Sequence, residues 1–228
     1  MKKFPVVFFL LVAAVIASPS YAAVTVTLDP GTTNVTTALT GFSTSGDMMD
    51  GMKVTAFFSA GGFETMTWAD TVSGSGGVTG TSWALSQSGD TFGGNWTLNS
   101  AIGISRFLID AGPGDTVFDT TSAGDAEGTP GSARGLTFAY ISGADSLNLD
   151  VYYRDQVALL GFDPVGDLYR SLDVNFSGNF IGTMQFRADT DNLQFAGDIA
   201  PIPEPGTMML LGSGLVGLAG WGRKKFRK

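Results

Sequence analysis

Apolar and polar residues alternate with period two along most of this chain, the pattern of strands with one buried face. Val24-Thr25-Val26-Thr27-Leu28 opens the series. Lys53 to Phe58 and Phe63 to Ala69 flank Ser59-Ala60-Gly61-Gly62, which predicts a hairpin with a glycine turn. Ile102 to Ile109, Leu136 to Ile141 and Leu147 to Val151 are further predicted strands. Leu172, Val174 and Phe176 alternate with Asp173 and Asn175, and Met184, Phe186 and Ala188 alternate with Gln185 and Arg187. Predicted turns fall at Ser142 to Asp145, Asp163 to Asp167 and Ser177-Gly178-Asn179, and the Gly/Ser/Thr-rich stretches 73–80 and 122–132 are predicted loops. No body segment sustains a 3.6-residue period. The expected fold is all-β, a single two-sheet β-sandwich or jelly roll over residues 23–198.

Both ends break this pattern. Met1-Lys2-Lys3, the apolar run Val6 to Ala17 and the small residues of Ser20-Tyr21-Ala22 predict a signal peptide over residues 1–22, cut by signal peptidase between Ala22 and Ala23. At the other end Pro203-Glu204-Pro205 precedes an uncharged run, Gly206 to Trp221, and then Arg223, Lys224, Lys225, Arg227 and Lys228. Sixteen helical residues span ~24 Å, short of a ~30 Å hydrocarbon core, and the deficit is met by snorkelling of the basic tail and an interfacial Trp221. The cationic end belongs in the cytoplasm, which puts the body outside it. Residues 199–228 therefore form a linker and a tail with a transmembrane helix over 206–221 and a basic stop-transfer segment over 222–228.

That tripartite tail resembles the PEP-CTERM sorting signal of Gram-negative bacteria. The resemblance implies recognition by an exosortase, a membrane-embedded transpeptidase that cuts near Pro203-Glu204-Pro205 and removes the helix. It implies an exported protein held transiently in the inner membrane, then placed on the cell surface or in the extracellular matrix, with exopolysaccharide as the associated partner. The segment Leu136 to Leu193 also looks like the closing strands of other PEP-CTERM ectodomains, through Gly166 to Tyr169, Asn175-Phe176 and Asp189 to Asn192.

Charge and composition narrow the chemistry. The whole chain carries −8, but residues 23–203 hold six cationic and 20 acidic residues, a net −14. Such a surface repels nucleic acid and anionic headgroups. Cysteine and histidine are both absent, which removes disulfides, the usual zinc, haem and copper ligand sets, and His-dependent nucleophilic machinery. Gly212 to Gly217 fits GxGxxG but lies inside the apolar tail, where glycines serve helix packing instead. Asp70-Thr71, Asp90-Thr91, Asp119-Thr120 and Asp189-Thr190 are half of an aspartic-protease signature, and none continues to Asp-Thr-Gly.

Three chemistries remain. Calcium needs oxygen ligands only, and Asp189, Asp191, Asn192 and Asp198 form one candidate cluster, with Asp110, Asp115, Asp119 and Asp125 a second; turn-forming, solubilising aspartates are the expected reading of both, with no resident cofactor. Trp68, Trp83, Trp96, Tyr152 and Tyr153 could build a sugar-stacking platform. A glycosidase would need a carboxylate opposite Glu64 or Glu127, the two glutamates of residues 23–203. The expected role is non-enzymatic, structural or adhesive; a secreted carboxylate-dependent enzyme acting on polysaccharide is the alternative.

Overall fold

The alternation read at Leu172, Val174 and Phe176 belongs to a strand of 20 residues, and it pairs with another of 15; these two strands organise the molecule. The computed structural model describes residues 22–120 and 134–193. In chain order the first strands are Val24–Asp29 (β1), Asn34–Thr36 (β2), Leu39–Gly41 (β3), Lys53–Phe58 (β4), Phe63–Thr67 (β5), Ala69–Val72 (β6) and Ser75–Thr79 (β7). Then come Trp83–Ser88 (β8), Trp96–Asp110 (β9), Thr116–Asp119 (β10), Ala139–Ser142 (β11), Leu149–Leu159 (β12), Leu168–Arg187 (β13) and Asp189–Leu193 (β14). Helix among the described residues is limited to single 3-10 turns at Gly46–Met48 and Gly112–Gly114. No helix among them is long and apolar enough to cross a membrane.

All of the strands join one 14-stranded sheet, whose main path runs β3-β14-β10-β13-β9-β8-β7-β6. Pairing is antiparallel except where β1 and β2 run parallel to β12. The register of β9 against β13 holds from Ser171↔Asp110 to Asn175↔Arg106, shifts, and resumes from Gly182↔Ser100 to Phe186↔Trp96. Ser177-Gly178-Asn179, expected as a turn, is therefore the irregular middle of β13 and not its end. Extra residues in a ladder bend and twist it rather than terminate it.

Each long strand changes its outer neighbour across that bend. The first half of β9 lies beside β8, and the second half lies beside β4. The first half of β13 lies beside β12, and the end lies beside β11. Inner faces from both sides of the bend feed one core. Phe107, from the second half of β9, meets Phe186, from the far half of β13, with ring centroids 5.8 Å apart. Trp96 is sandwiched between Trp68 at 5.3 Å and Phe186 at 5.9 Å. The expected all-β character holds, and in place of the two sheets of a sandwich or jelly roll the described strands join a single hydrogen-bonded sheet that the long strands carry through the bend.

The glycine-turn hairpin forms where the alternation placed it, with Phe58 N–H donating to the Gly62 carbonyl (3.0 Å) and Gly61 at φ +95°. Its second strand stops at Thr67, before the expected Ala69, because Trp68 turns fully into the core and its indole donates to the Gly46 carbonyl (2.8 Å). The stretch 73–80, expected as a loop, contains β7. Its glycines are there for room: a Cβ at Gly76 would collide with the Gly46 carbonyl and the Trp68 indole nitrogen, and one at Gly77 would lie 2.6 Å from the Leu85 carbonyl. Glycine inside a strand marks such close approaches. The strand expected at Leu136 begins at Ala139, and the one expected at Leu147 runs from Leu149 to Leu159. The expected signal peptide through Tyr21, the expected loop 122–132, and the expected linker and tail of 199–228 lie outside the described residues.

Candidate functional site

Residues from both predicted acidic clusters meet where β10 pairs with β14. The register sets Asp119 directly opposite Asp189 and Val117 opposite Asp191. Side chains two apart on a strand share a face, so Asp119, Asp189 and Asp191 converge. One carboxylate oxygen from each lies within 4.8 Å of the others. All three are buried, at 1%, 2% and 1% exposure. Like charges directly opposite each other in a sheet are unfavourable, and burial sharpens the penalty.

The surroundings show how the cluster is managed. Thr91 Oγ1 donates to Asp189 Oδ1 (2.8 Å), and the Thr190 amide donates to the same oxygen (2.9 Å). These bonds favour the ionised form, yet burial outweighs them and, with the charge of Asp90, raises the Asp189 pKa to about 6. Tyr153 packs nearby, fully buried, and accepts a hydrogen bond from the Phe138 amide (2.8 Å). Its pKa is pushed up first by burial, then by the charges of Asp189 and Asp119. The site thus favours holding a proton among its carboxylates.

It could also hold a hard cation. Oxygens around one Ca²⁺ sit ~2.3–2.6 Å from the ion, so oxygens up to roughly 5 Å apart can share it. The three carboxylates meet that limit and would supply three of the six to eight ligands such an ion takes. The other predicted ligands are used elsewhere. Asp110 binds Arg170 (2.9 and 3.2 Å), and the Asn192 side chain accepts from Thr44 (2.8 Å) and donates to the Met48 carbonyl (3.1 Å). Asp115 sits at the end of the second 3-10 turn, and Asp125 and Asp198 lie outside the described residues.

Two members of the cluster are the aspartates of Asp-Thr pairs, Asp119-Thr120 and Asp189-Thr190, and Asp90-Thr91 supplies the neighbouring hydroxyl. Two close carboxylates sharing a proton are what aspartic-protease chemistry requires. At 1% and 2% exposure neither offers a substrate any access, so the pair reads as structural.

The predicted aromatic platform does not form. Trp68, Trp83, Trp96 and Tyr153 are buried at 0%, 3%, 0% and 0% exposure: the last three sit at inward positions of their strands, and Trp68 turns into the core between β5 and β6. Tyr152 alone of that set faces outward, with the Arg154 guanidinium 4.7 Å from its ring centroid. Glu64 accepts from the Thr81 amide (3.0 Å), the Thr81 hydroxyl (2.9 Å) and the Trp83 indole (2.7 Å), and these bonds hold its pKa down. Glu127 lies outside the described residues, as do Pro203, Glu204, Pro205, Arg223, Lys224, Lys225, Arg227 and Lys228. Ala22 and Ala23 precede β1, and the Ala23 carbonyl already accepts from the Leu149 amide (2.8 Å).

Sequence reasoning placed Asp173 on a solvent face, but it is 2% exposed beneath Arg106 (2.7 Å) and Arg154 (3.4 Å). The arginines that cover it lie 67 and 19 residues away along the chain, so only strand register brings them there. Residues 201–224 match the PEP-CTERM protein-sorting motif. No curated protein and no solved structure matches the chain.

Proposed function

We propose that this chain is a non-enzymatic structural or adhesive protein of the cell surface or extracellular matrix, associated with exopolysaccharide. The sorting motif at residues 201–224 carries the reading, since it implies an exported protein processed by an exosortase. The expected route begins with signal-peptidase cleavage after Ala22, passes through a transient inner-membrane stage on the helix 206–221, and ends with release near Pro203-Glu204-Pro205. A body built on one bent sheet suits a passive role: Trp68, Trp83 and Trp96 are spent on packing, and Glu64 is tied down by Thr81 and Trp83. The enzymatic alternative needs a second carboxylate facing Glu64 across an open cleft, and the three hydrogen bonds on Glu64 weigh against it.

Intact-mass measurement on protein from the native envelope, beside a strain lacking the sorting enzyme, tests this. The expected mature form begins at Ala23 and ends within Pro203–Pro205, while the deficient strain accumulates a longer, detergent-requiring form. The same mass in both strains would show that the tail is not read.

A further inference from the structure

We infer that a groove between β2, the second 3-10 turn and the start of β13 binds a neutral, polyhydroxylated ligand of oligosaccharide type; this rests on the adhesive reading above. Two adjoining cavities of about 360 and 330 Å³ share Asn34 and Arg170 in their walls. Both fall within the ~300–1,000 Å³ typical of small-molecule sites. The larger has an apolar floor that includes Val35, Pro113, Val157 and Leu193, and the smaller is lined by Asp110, Asp155 and Ser171.

Two observations point to a ligand. First, Asp115 and Asp155 are the non-glycine residues with positive φ among the described residues, at +48° and +59°, and one lines each cavity. Each also has a local role, since Asp115 follows the 3-10 turn and Asp155 marks where β12 exchanges β1 for β2 as neighbour. Left-handed backbone at such residues is nonetheless concentrated at binding sites. Second, polar groups are held ready. Arg170 Nε and one terminal nitrogen grip Asp110, which fixes the guanidinium plane, and Asn34 Nδ2 donates to the Thr32 carbonyl, which orients its amide oxygen to accept.

Charge and shape select the ligand class. Asp110, Asp115 and Asp155 outnumber Arg170 in the walls, on a body of six cationic and 20 acidic residues. An anion would be repelled. An apolar floor edged by an amide, hydroxyls and a fixed guanidinium matches a pyranose, whose ring face is apolar and whose rim is hydroxylated. No aromatic residue lines either cavity, so selectivity falls to hydrogen bonds.

The test uses the full chain in detergent, titrated calorimetrically with neutral gluco-, galacto- and manno-oligosaccharides, with oligouronates of matched length, and with Ca²⁺ alone. Saturable binding of a neutral sugar is expected, at least tenfold tighter than that of its uronate counterpart. Asn34→Ala should weaken it by roughly three- to tenfold, the worth of one hydrogen bond, with the melting temperature unchanged. The inference is overturned by an absence of binding across the panel, by equal affinity for uronates, by an Asn34→Ala variant that binds like the parent, or by a response to Ca²⁺ only. Co-sedimentation with the producing cells' own polysaccharide separates the two readings. Co-sedimentation that survives this substitution sinks the groove and spares the adhesive role, whereas sugar binding without co-sedimentation sinks that role and spares the groove.

Discussion

β14 and β7 lie on opposite flanks of the two long strands, and most residues of each have little natural preference for a sheet. β7 reads Ser-Gly-Gly-Val-Thr, and β14 reads Asp-Thr-Asp-Asn-Leu. β7 gives up side chains so that the Gly46 backbone and the Trp68 indole can close onto it. β14 keeps its side chains and presses two carboxylates against a third from β10. The first strand is held by fit, which neither pH nor salt alters. The second is held in spite of an electrostatic penalty that solution conditions can raise or relieve. Two strands of one sheet should therefore fail under different stresses.

The strongest way to break this contrast is to fill the space beside β7. Gly76→Ala drives a methyl into the Gly46 carbonyl and the Trp68 indole, neither of which can retreat from the core. We predict a loss of about 3 kcal/mol or more, at the upper end of overpacking costs, read as a lower urea midpoint and independent of pH. Wild-type stability in this variant would mean that β7 does not pack as described.

The next effect belongs to β14 and has the opposite signature. The Asp189 pKa is raised from 3.8 to about 6, so the folded state binds its proton more tightly than the unfolded chain. Stability from this group is then complete below the unfolded value and is lost as pH rises through about 6. We predict that acidifying from pH 7.5 to 5 raises the melting temperature. Asp189→Asn should remove most of that slope and stabilise the neutral-pH protein by about 2–3 kcal/mol, from a shift of roughly two pKa units. An unchanged slope in the variant would assign the pH effect to the acidic surface at large.

Gly61 sharpens the comparison from a third side. It has φ +95°, and a methyl added there would meet nothing within 4 Å, so it is glycine for conformation alone. Gly61→Ala is predicted to cost about 1–2 kcal/mol, less than Gly76→Ala despite the positive φ. A reversal of that order would show backbone conformation, not space, to be the stricter demand.

Cation specificity is the smallest effect expected. Ca²⁺ and an ionic-strength-matched Na⁺ control should raise the melting temperature equally, through screening of the acidic body. A Ca²⁺ excess present at pH 8, reduced at pH 5.5 and lost in Asp189→Asn would instead make the β14 cluster a cation site, since proton and metal compete for the same oxygens.

How legible each of these regions was in the chain follows from the range of its interactions. The hairpin of β4 and β5 was readable because both strands and the Gly61-Gly62 turn are contiguous. β7 was not, because its glycines signify a strand only once Gly46 and Trp68 are known to lie against them. The aspartates of the cluster were each singled out by their place in one of two acidic stretches of the chain. Their grouping was invisible, since Asp119 meets Asp189 and Asp191 only through the register of β10 against β14. The buried tryptophans were nearer to hand: Trp96-Thr97-Leu98 already alternates, with Trp96 and Leu98 both inward.

The first strand bears on the timing of export. Hydrogen bonding to β12 begins at the Ala23 carbonyl and Val24 sits opposite Leu149, which leaves no slack between the expected peptidase site and the sheet. A peptidase must hold residues on both sides of its scissile bond in an extended, accessible form, and a docked β1 denies it those residues. A leader cut after Ala22 would therefore have to be removed while β1 is still loose. Yet β1 has nothing to dock on until the chain through Arg154 has emerged, because Val24–Asp29 pair with Leu149–Arg154 of β12. On that route translocation would open an interval in which the amino terminus waits unpaired, and strand insertion would close it. A chain whose β12 was moved ahead of β1 would shut that interval early and retain its leader.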